Sequence, residues 1–442
     1  MKAILIFPGI TIPGFNSFGS YRSVDANYIA HGLASISAYA KTNGHEIDLI
    51  DLRKLKNWNH FEKIIQAKNP NIAGIGFMSV DYEPAIQAAN IIKRLNKKTK
   101  IIVGGVHPTI ATEEIKRDEN IDFIIKGEGE ITFSKILFDL EQGKDIPRVL
   151  EGEPPDLNNI PWVDRDLFDY RGELRTPFVS TLKKPFVTIN ISRGCPFRCT
   201  FCQPAERSVF GGKVKRRSVI NVIGELLYLK KKYNFRSFLI HDDLFLQNIT
   251  WVEEFINAYK TSGFTQEFIC QLRADMICKN EKLIKKLAGI GMTWAMVGFE
   301  SGSQRVLDFL KKDVIVGENI KASEILKQNK VKIFANYMFG IPTETKDEVW
   351  ETVKMIRLIN PEHHSPTFFT PYPGSHLYDY IMDNNLSLMD TYKKYDRSTA
   401  SGDKIKGVDY KFLREVINDL IPKKRFPQLR NIVKQSLKHI MR

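Results

Sequence analysis

The chain has 442 residues, enough for two or three domains each with its own core. Hydrophobic residues make up 43% of it, yet the longest apolar runs fall far short of a bilayer, which argues against a transmembrane segment. Five cysteines, three of them crowded between Cys195 and Cys202, do not make a disulfide framework, and a net charge of +14 spread along the chain reads as a solvated surface.

The N-terminal run Met1 to Pro8 is too short for a signal peptide and reads as a first strand, so the cytoplasm is the expected location. Apolar runs follow at Ala3 to Phe7, Ile47 to Ile50, Ile72 to Phe77, Lys100 to Val103 and Phe123 to Ile125, with helical patterns such as Tyr28 to Lys41 and Pro84 to Leu95 between them. Five strands alternating with helices up to residue 145 predict a parallel, doubly wound α/β sheet whose ligand sits beyond the carboxyl ends of the strands.

Three of those ends carry Met78-Ser79-Val80-Asp81-Tyr82, Gly104-Gly105-Val106-His107-Pro108-Thr109 and Lys126-Gly127-Glu128-Gly129-Glu130. Paired glycines let backbone approach a flat or bulky ligand without Cβ interference, although a single glycine after a strand usually just makes the turn. In this order the three elements resemble the Rossmann-like cobalamin-binding domain found upstream of many radical S-adenosylmethionine (SAM) enzymes. The resemblance implies cobalamin contacts from Ser79, Val80, Asp81, Gly104, Gly105, Val106, His107, Gly127 and Glu128, with Val80 and Asp81 nearest the lower face. The alternative for His107 is a hydrogen bond within its own loop. No Asp-x-His occurs in the chain, so the axial histidine of the better-known cobalamin proteins has no counterpart.

Residues 146–184 hold Pro147, Pro154, Pro155, Pro161 and Pro177, and read as a linker laid along two domains. Its Ile160 to Leu167 stretch is similar to one in cobalamin-type radical SAM proteins. From 185 to 380 strands are read at 186–191, 236–241, 267–272, 293–299, 331–338 and 365–369. Helices between them include Val219 to Lys232, with Ser218 as N-cap, and Ile320 to Gln328. Six such units predict a partial (β/α)6 TIM-like barrel with its site at the C-terminal mouth.

The first barrel strand feeds Ser192-Arg193-Gly194-Cys195-Pro196-Phe197-Arg198-Cys199-Thr200-Phe201-Cys202. Three thiolates leave a tetrahedral zinc one ligand short, with no histidine in the loop, whereas on a 4Fe-4S cluster they leave one iron open. The C-x3-C-x-F-C form, Cys195, Cys199 and Cys202, resembles the signature of radical SAM enzymes. Cys270 and Cys278 read as small, buried apolar residues.

The later strand ends carry His241-Asp242-Asp243, Gln271-Leu272-Arg273, Gly298-Phe299-Glu300-Ser301 and Phe339-Gly340-Ile341-Pro342. What the resemblance implies for them is a SAM cradle. Asp242 or Asp243 meets the methionyl amine, Arg273 the carboxylate and Glu300 the ribose or amine. Phe201 and the backbone around Gly340 and Ile341 flank adenine, and Gln271 is a further cofactor contact of no stated role. For each the ordinary alternative is a salt bridge at the barrel rim or a helix cap.

Residues 381–442 are expected to form a basic helical segment. Lys423, Lys424, Arg425, Arg430, Lys434, Lys438 and Arg442 lie on a helix packed through Leu429, Ile432, Val433 and Leu437, and nucleic acid is not an expected partner. The resemblance as a whole implies a methyltransferase using SAM, a 4Fe-4S cluster and cobalamin to methylate an unactivated carbon of an organic substrate. An electron donor such as a flavodoxin or ferredoxin would serve it. A cobalamin-assisted cyclase, oxidase or rearrangement enzyme is the nearest alternative, and an iron-sulfur and corrinoid sensor is one of another class. A methylthiotransferase is disfavoured because no cysteine precedes Cys195.

Overall fold

The computed structural model describes residues 1–10, 15, 28–202, 210–395 and 402–421. Its first sheet contains β1 (Lys2–Phe7), β2 (Glu46–Asp51), β3 (Ile72–Gly76), β4 (Lys100–Gly104), β5 (Phe123–Lys126) and β6 (Val149–Glu151), in the order β2-β1-β3-β4-β5-β6. Every pairing is parallel. Strands buried on both faces need unbroken apolar runs, and Ala3, Ile4, Leu5 and Ile6 are at most 1% exposed. One face packs with Leu33, Phe133 and Leu137, the other with Phe61, Ile65, Ala88 and Ile92. The strand order reverses between β1 and β3, where a crevice opens beyond the carboxyl ends.

The sixth strand corrects the expected five. β6 pairs with β5 through Ile124 with Val149 and Ile125 with Leu150, inside the stretch read as linker. Three residues after Pro147 are too few to display a period, so only the partner strand reveals them.

The second sheet holds β7 (Phe186–Asn190), β10 (Ser237–His241), β11 (Glu267–Leu272), β12 (Met292–Glu300), β13 (Lys332–Phe339) and β14 (His363–Phe368), in the order β14-β13-β12-β11-β10-β7. Between β7 and β10 lies a two-stranded ribbon, β8 (Ser192–Arg193) and β9 (Lys215–Arg216). All six main strands run parallel with neighbours consecutive in the chain, as an incomplete barrel requires. Val187, Ile189, Phe238, Ile240 and Cys270 face the helices, while Phe186, Leu239, Ile269, Trp294 and Phe334 pack together on the opposite, lumen side with Tyr28 and Phe178.

Helix Val219–Tyr233 begins where expected, with Ser218 Oγ accepting from Asn221 N. The helix expected from Ile320 begins at Val316 instead, because Glu318 accepts from Ile315 N at 3.0 Å and caps a turn with no Ser or Thr to announce it. Helix Tyr410–Leu420 packs through Tyr410 on Phe368 and through Phe412 on Trp350. The basic stretch from 422 to 442 lies outside the described residues. Among the described residues no helix is long and apolar enough to cross a membrane.

The linker fixes the two sheets to each other. Ser37 and Lys41 of helix His31–Thr42 both donate to Asp164 Oδ2, at 2.7 and 2.5 Å. The next residue, Arg165, is buried and donates to Glu225 Oε1 and Thr188 O, each at 2.7 Å. Glu225 also takes Arg217 at 2.6 Å, so one buried carboxylate serves two guanidiniums. Removing it strands both cations, and a broken buried pair costs about 3–5 kcal/mol. Glu225→Ala is therefore expected to lower the unfolding free energy by about that amount in urea denaturation; a loss below about 1 kcal/mol would mean that the pair is solvated.

Candidate active site between the two sheets

The ribbon pairs Ser192 with Arg216 and Arg193 with Lys215, and the cysteine loop forms its far end. Gly194 sits at φ 101°, and a Cβ there would lie 2.3 Å from Lys213 O, so only glycine fits between ribbon and loop. Thr200 ties the loop down from both sides, its N–H donating to Leu310 O at 2.9 Å and its carbonyl accepting from Leu377 N at 3.0 Å.

Cys195 and Cys199 are half-buried and Cys202 is exposed. A hydrogen bond from Cys202, aided by the Lys312 and Arg273 cations and opposed by burial, brings the Cys199 thiol down to about 6. The same hydrogen bond pushes the Cys202 thiol up. Among the described residues no three His, Cys, Asp or Glu side chains stand in single-ion geometry. Three thiols on one loop, one of them already acidic, are the donor set of a cluster whose irons are held one per thiolate.

Facing that loop are Arg273, Glu300 and Lys312. Arg273 lies after β11 with Nη1 at 3.9 Å from Cys199 Sγ and its guanidinium 3.5 Å over the Phe197 ring. It is oriented by Asp275 at 3.0 Å and by Lys312 O at 2.6 Å. Glu300 ends β12 at φ 61°, and its Oε1 meets Lys312 Nζ at 2.9 Å. Burial opposes the Lys312 charge, but Glu300 and Cys199 hold its pKa above the usual lysine range. A Cβ on Gly298 would come within 2.4 Å of Glu300 Oε1 and 3.1 Å of Lys312 Nζ, so the glycine keeps the space that this pair occupies.

Gln271 lies on the lumen side of β11, half-buried. Phe201 and Ile341 share one apolar cluster with Val306, Leu310 and Phe369, which offers a slot for a flat base. Gly340, at φ 72°, donates its N–H to Glu344 Oε2 at 2.8 Å; burial pushes the Glu344 carboxyl up to about 7.

Asp242 is committed elsewhere. Its Oδ1 accepts from Ser192 Oγ and its Oδ2 takes Arg216 at 2.8 Å, so it braces the ribbon, while Asp243 is exposed.

A cavity of 540 Å³ opens where the carboxyl ends of the first sheet meet the start of the barrel. Asp81, Gly104, Gly105, Val106, Gly127 and Glu128, six of the nine residues expected at cobalamin, line it. Ser79, Val80 and His107 do not: they stand one layer behind the wall. Residues Ser79–Asp81 form a tight 3-10 turn, which delivers only Asp81 to the cavity. His107 is fully buried, takes Ser79 through Nδ1 at 3.0 Å, and packs against Phe77, Tyr82 and Tyr392. It is a brace in its own loop, the alternative reading. Gly105 at φ 98°, where a Cβ would meet Phe77 O at 3.0 Å, gives the wall its close approach. A wall mostly of glycines and apolar side chains, with Arg53, Asp81, Glu128, Glu130, Arg193 and Arg217 among them, suits a broad macrocycle that carries polar groups on its edge.

Three site residues escaped the sequence reading. Lys312 lies in a run of charged residues, Leu310-Lys311-Lys312-Asp313, that looks like surface. Arg193 was quoted within the cysteine motif without a role. His31 opens helix His31–Thr42 and lines the cavity, its Nε2 at 2.8 Å from Thr188 Oγ1 and its ring 5.8 Å from His241. Burial, with Arg165 and His241, pulls its pKa well down, and burial alone brings His241 to about 4, so both imidazoles are neutral at physiological pH.

Comparison with known proteins adds the following. Residues 189–356 match the Radical SAM superfamily and residues 22–137 match the B12 binding domain. An uncharacterized methyltransferase of Pyrococcus horikoshii is 29% identical over 82% of this chain and 81% of its own. An anaerobic magnesium-protoporphyrin IX monomethyl ester cyclase of Rubrivivax gelatinosus is 25% identical over 84% and 69%. In fold, the chain is similar to the radical S-adenosylmethionine methyltransferase TsrM from Kitasatospora setae, solved with cobalamin and a 4Fe-4S cluster. The TM-score is 0.65 at 14% identity, covering 87% of this chain and 75% of that one.

The depressed pKa of His107 has a measurable consequence. Burial lowers it to about 4, so between pH 6.5 and 4 the unfolded chain binds a proton that the folded one refuses, and stability falls as pH drops through that window. Denaturation at a series of pH values is expected to show wild type losing about 3 kcal/mol across the window relative to His107→Gln. Parallel pH profiles for the two proteins would show that His107 is solvated.

Proposed function

Because the chain belongs to the radical SAM enzymes that carry a B12-binding domain, we propose that it transfers a methyl group to an unactivated carbon of an organic substrate. The observation that supports this most is the short path between the two sites: Arg193 lines the cavity and lies two residues from Cys195, so the cysteine loop starts at the cavity wall. When bound, the cluster supplies an electron, SAM a radical source and a methyl group, and cobalamin a methyl carrier.

Cys195, Cys199 and Cys202 would hold the cluster. Arg273 and Lys312 would present positive charge to the SAM carboxylate. Glu300 would receive its amine or ribose, and Phe201 and Ile341 would flank its base. Gly104, Gly105, Gly127 and Asp81 would form the floor under the corrin. Phe178, Phe334 and Tyr28 fill the lumen below and exclude water, which protects reactive species from side reactions. The open face of the substrate space carries neutral His31, Asn190 and Arg217, so the substrate meets polar groups on one side and rings on the other. A flavodoxin- or ferredoxin-type donor in the cytoplasm would supply the electron.

A cyclisation reading has the Rubrivivax relative behind it, and one experiment separates the two. Anaerobic turnover of the reconstituted protein in a cell extract with methyl-labelled SAM is expected to release S-adenosylhomocysteine together with 5′-deoxyadenosine and to label a carbon-methylated compound. Deoxyadenosine released alone, with no label transferred, would sink methyl transfer. Cys195→Ala, Cys199→Ala and Cys202→Ala combined should abolish deoxyadenosine release, while cobalamin bands still appear when hydroxocobalamin is added at saturating concentration.

A further inference from the structure

The cavity and the cysteine loop are joined by one ionic fork. Arg193 Nη1 meets Glu128 Oε1 and Nη2 meets Glu130 Oε1, both at 2.6 Å. Lys215, the cross-strand neighbour of Arg193, takes the other oxygen of Glu128 at 2.5 Å. Glu130 is held further by Ser35 Oγ at 2.7 Å, and the Arg193 cation, outweighing burial, keeps its carboxyl below the usual range. The two acids are nearly buried, with side chains 5% and 4% exposed, and they come from the strand end of the first sheet, whereas both cations belong to the ribbon that carries the cysteines.

Three features make this more than adhesion between two units. Glu128, Glu130 and Arg193 all line the cavity, so whatever fills it bears on the fork directly. The ribbon has two residues per strand, far below what a hairpin needs to hold its own shape, so its position is set by its partners. On its other side Asp242 fixes Ser192 and Arg216, which leaves Gly194 and Cys195 as the part that responds when Arg193 shifts.

We propose that the Arg193 fork couples the two cofactor sites, so that cobalamin in the cavity and the cluster on the cysteine loop each bind more tightly when the other is present. The proposal rests on the cofactor assignment above. By linkage the effect is reciprocal, and it makes Arg193 a positioning residue, since it acts through Glu128 and Glu130 on one side and through Cys195 on the other.

The test is an anaerobic titration of the full chain with hydroxocobalamin, followed by absorbance, with and without the reconstituted 4Fe-4S cluster. For wild type the dissociation constant is expected to fall by about fivefold or more when the cluster is present. In Arg193→Gln the two constants should agree within about twofold while both groups still bind, and Arg193→Lys, which keeps the charge but loses the fork, should fall between. Glu130→Gln cuts one arm only and should also reduce the ratio, which keeps the test decisive if Arg193→Gln fails to fold. A wild-type affinity indifferent to the cluster, or a ratio undiminished in these variants, overturns the coupling. No hydroxocobalamin binding in either state would overturn the cofactor assignment itself, a result distinct from binding without coupling.

Discussion

Buried carboxylates where the two sheets meet dictate how the halves are joined. Glu128, Glu130, Asp242 and Glu225 have side chains at most 5% exposed, and an ionised carboxylate in such a place must have a cation within reach. The cations are Arg193, Lys215, Arg216, Arg217 and Arg165, all from the linker and the first barrel unit. Glu128 and Glu130 thus fix the ribbon against the first sheet, while Asp242 and Glu225 fix the ribbon and the linker against the barrel. Apolar contact alone would allow sliding; paired charges at 2.5–2.8 Å do not.

Much of this was legible in the sequence. Central parallel strands such as Lys2–Phe7 and Lys332–Phe339 are buried on both faces and announce themselves as apolar runs, edge strands such as His363–Phe368 do so less clearly, and the cysteine spacing specifies its own loop. What could not be read was the partner of each polar group. Asp242 and Asp243 are adjacent and alike in sequence, yet one braces a ribbon and the other is exposed. Lys312 hides among surface-like charges until β12 turns Glu300 back at a positive φ to meet it. Ser79 is drawn one layer away from the cavity because a 3-10 turn replaces the alternation of the strand that precedes it, and His107, in the short helix Val106–Ile110, is turned inward to meet it.

The site divides its charges by depth. Arg273, Lys312 and Glu300 gather at the barrel mouth beside Cys199, each oriented by a fixed partner. Lower in the lumen Phe178 lies against Phe334, which stacks on His363, whose pKa burial brings down to about 4. The charged groups are thereby kept at the mouth, above a plug of packed rings that leaves no room for water among them.

Tyr392 reaches back from the end of the barrel to the first sheet, donating to Glu114 Oε2 at 2.7 Å and lying against Tyr82 and His107, across a sequence separation of 278 residues. On a ribosome this contact has no counterpart until most of the chain has emerged. The first sheet, complete with Val149–Glu151, waits through the synthesis of the entire barrel before its outer face is covered. The order of synthesis therefore leaves the wall behind the cavity uncovered until the barrel strands have all been made, and a segment that follows the last of them closes it.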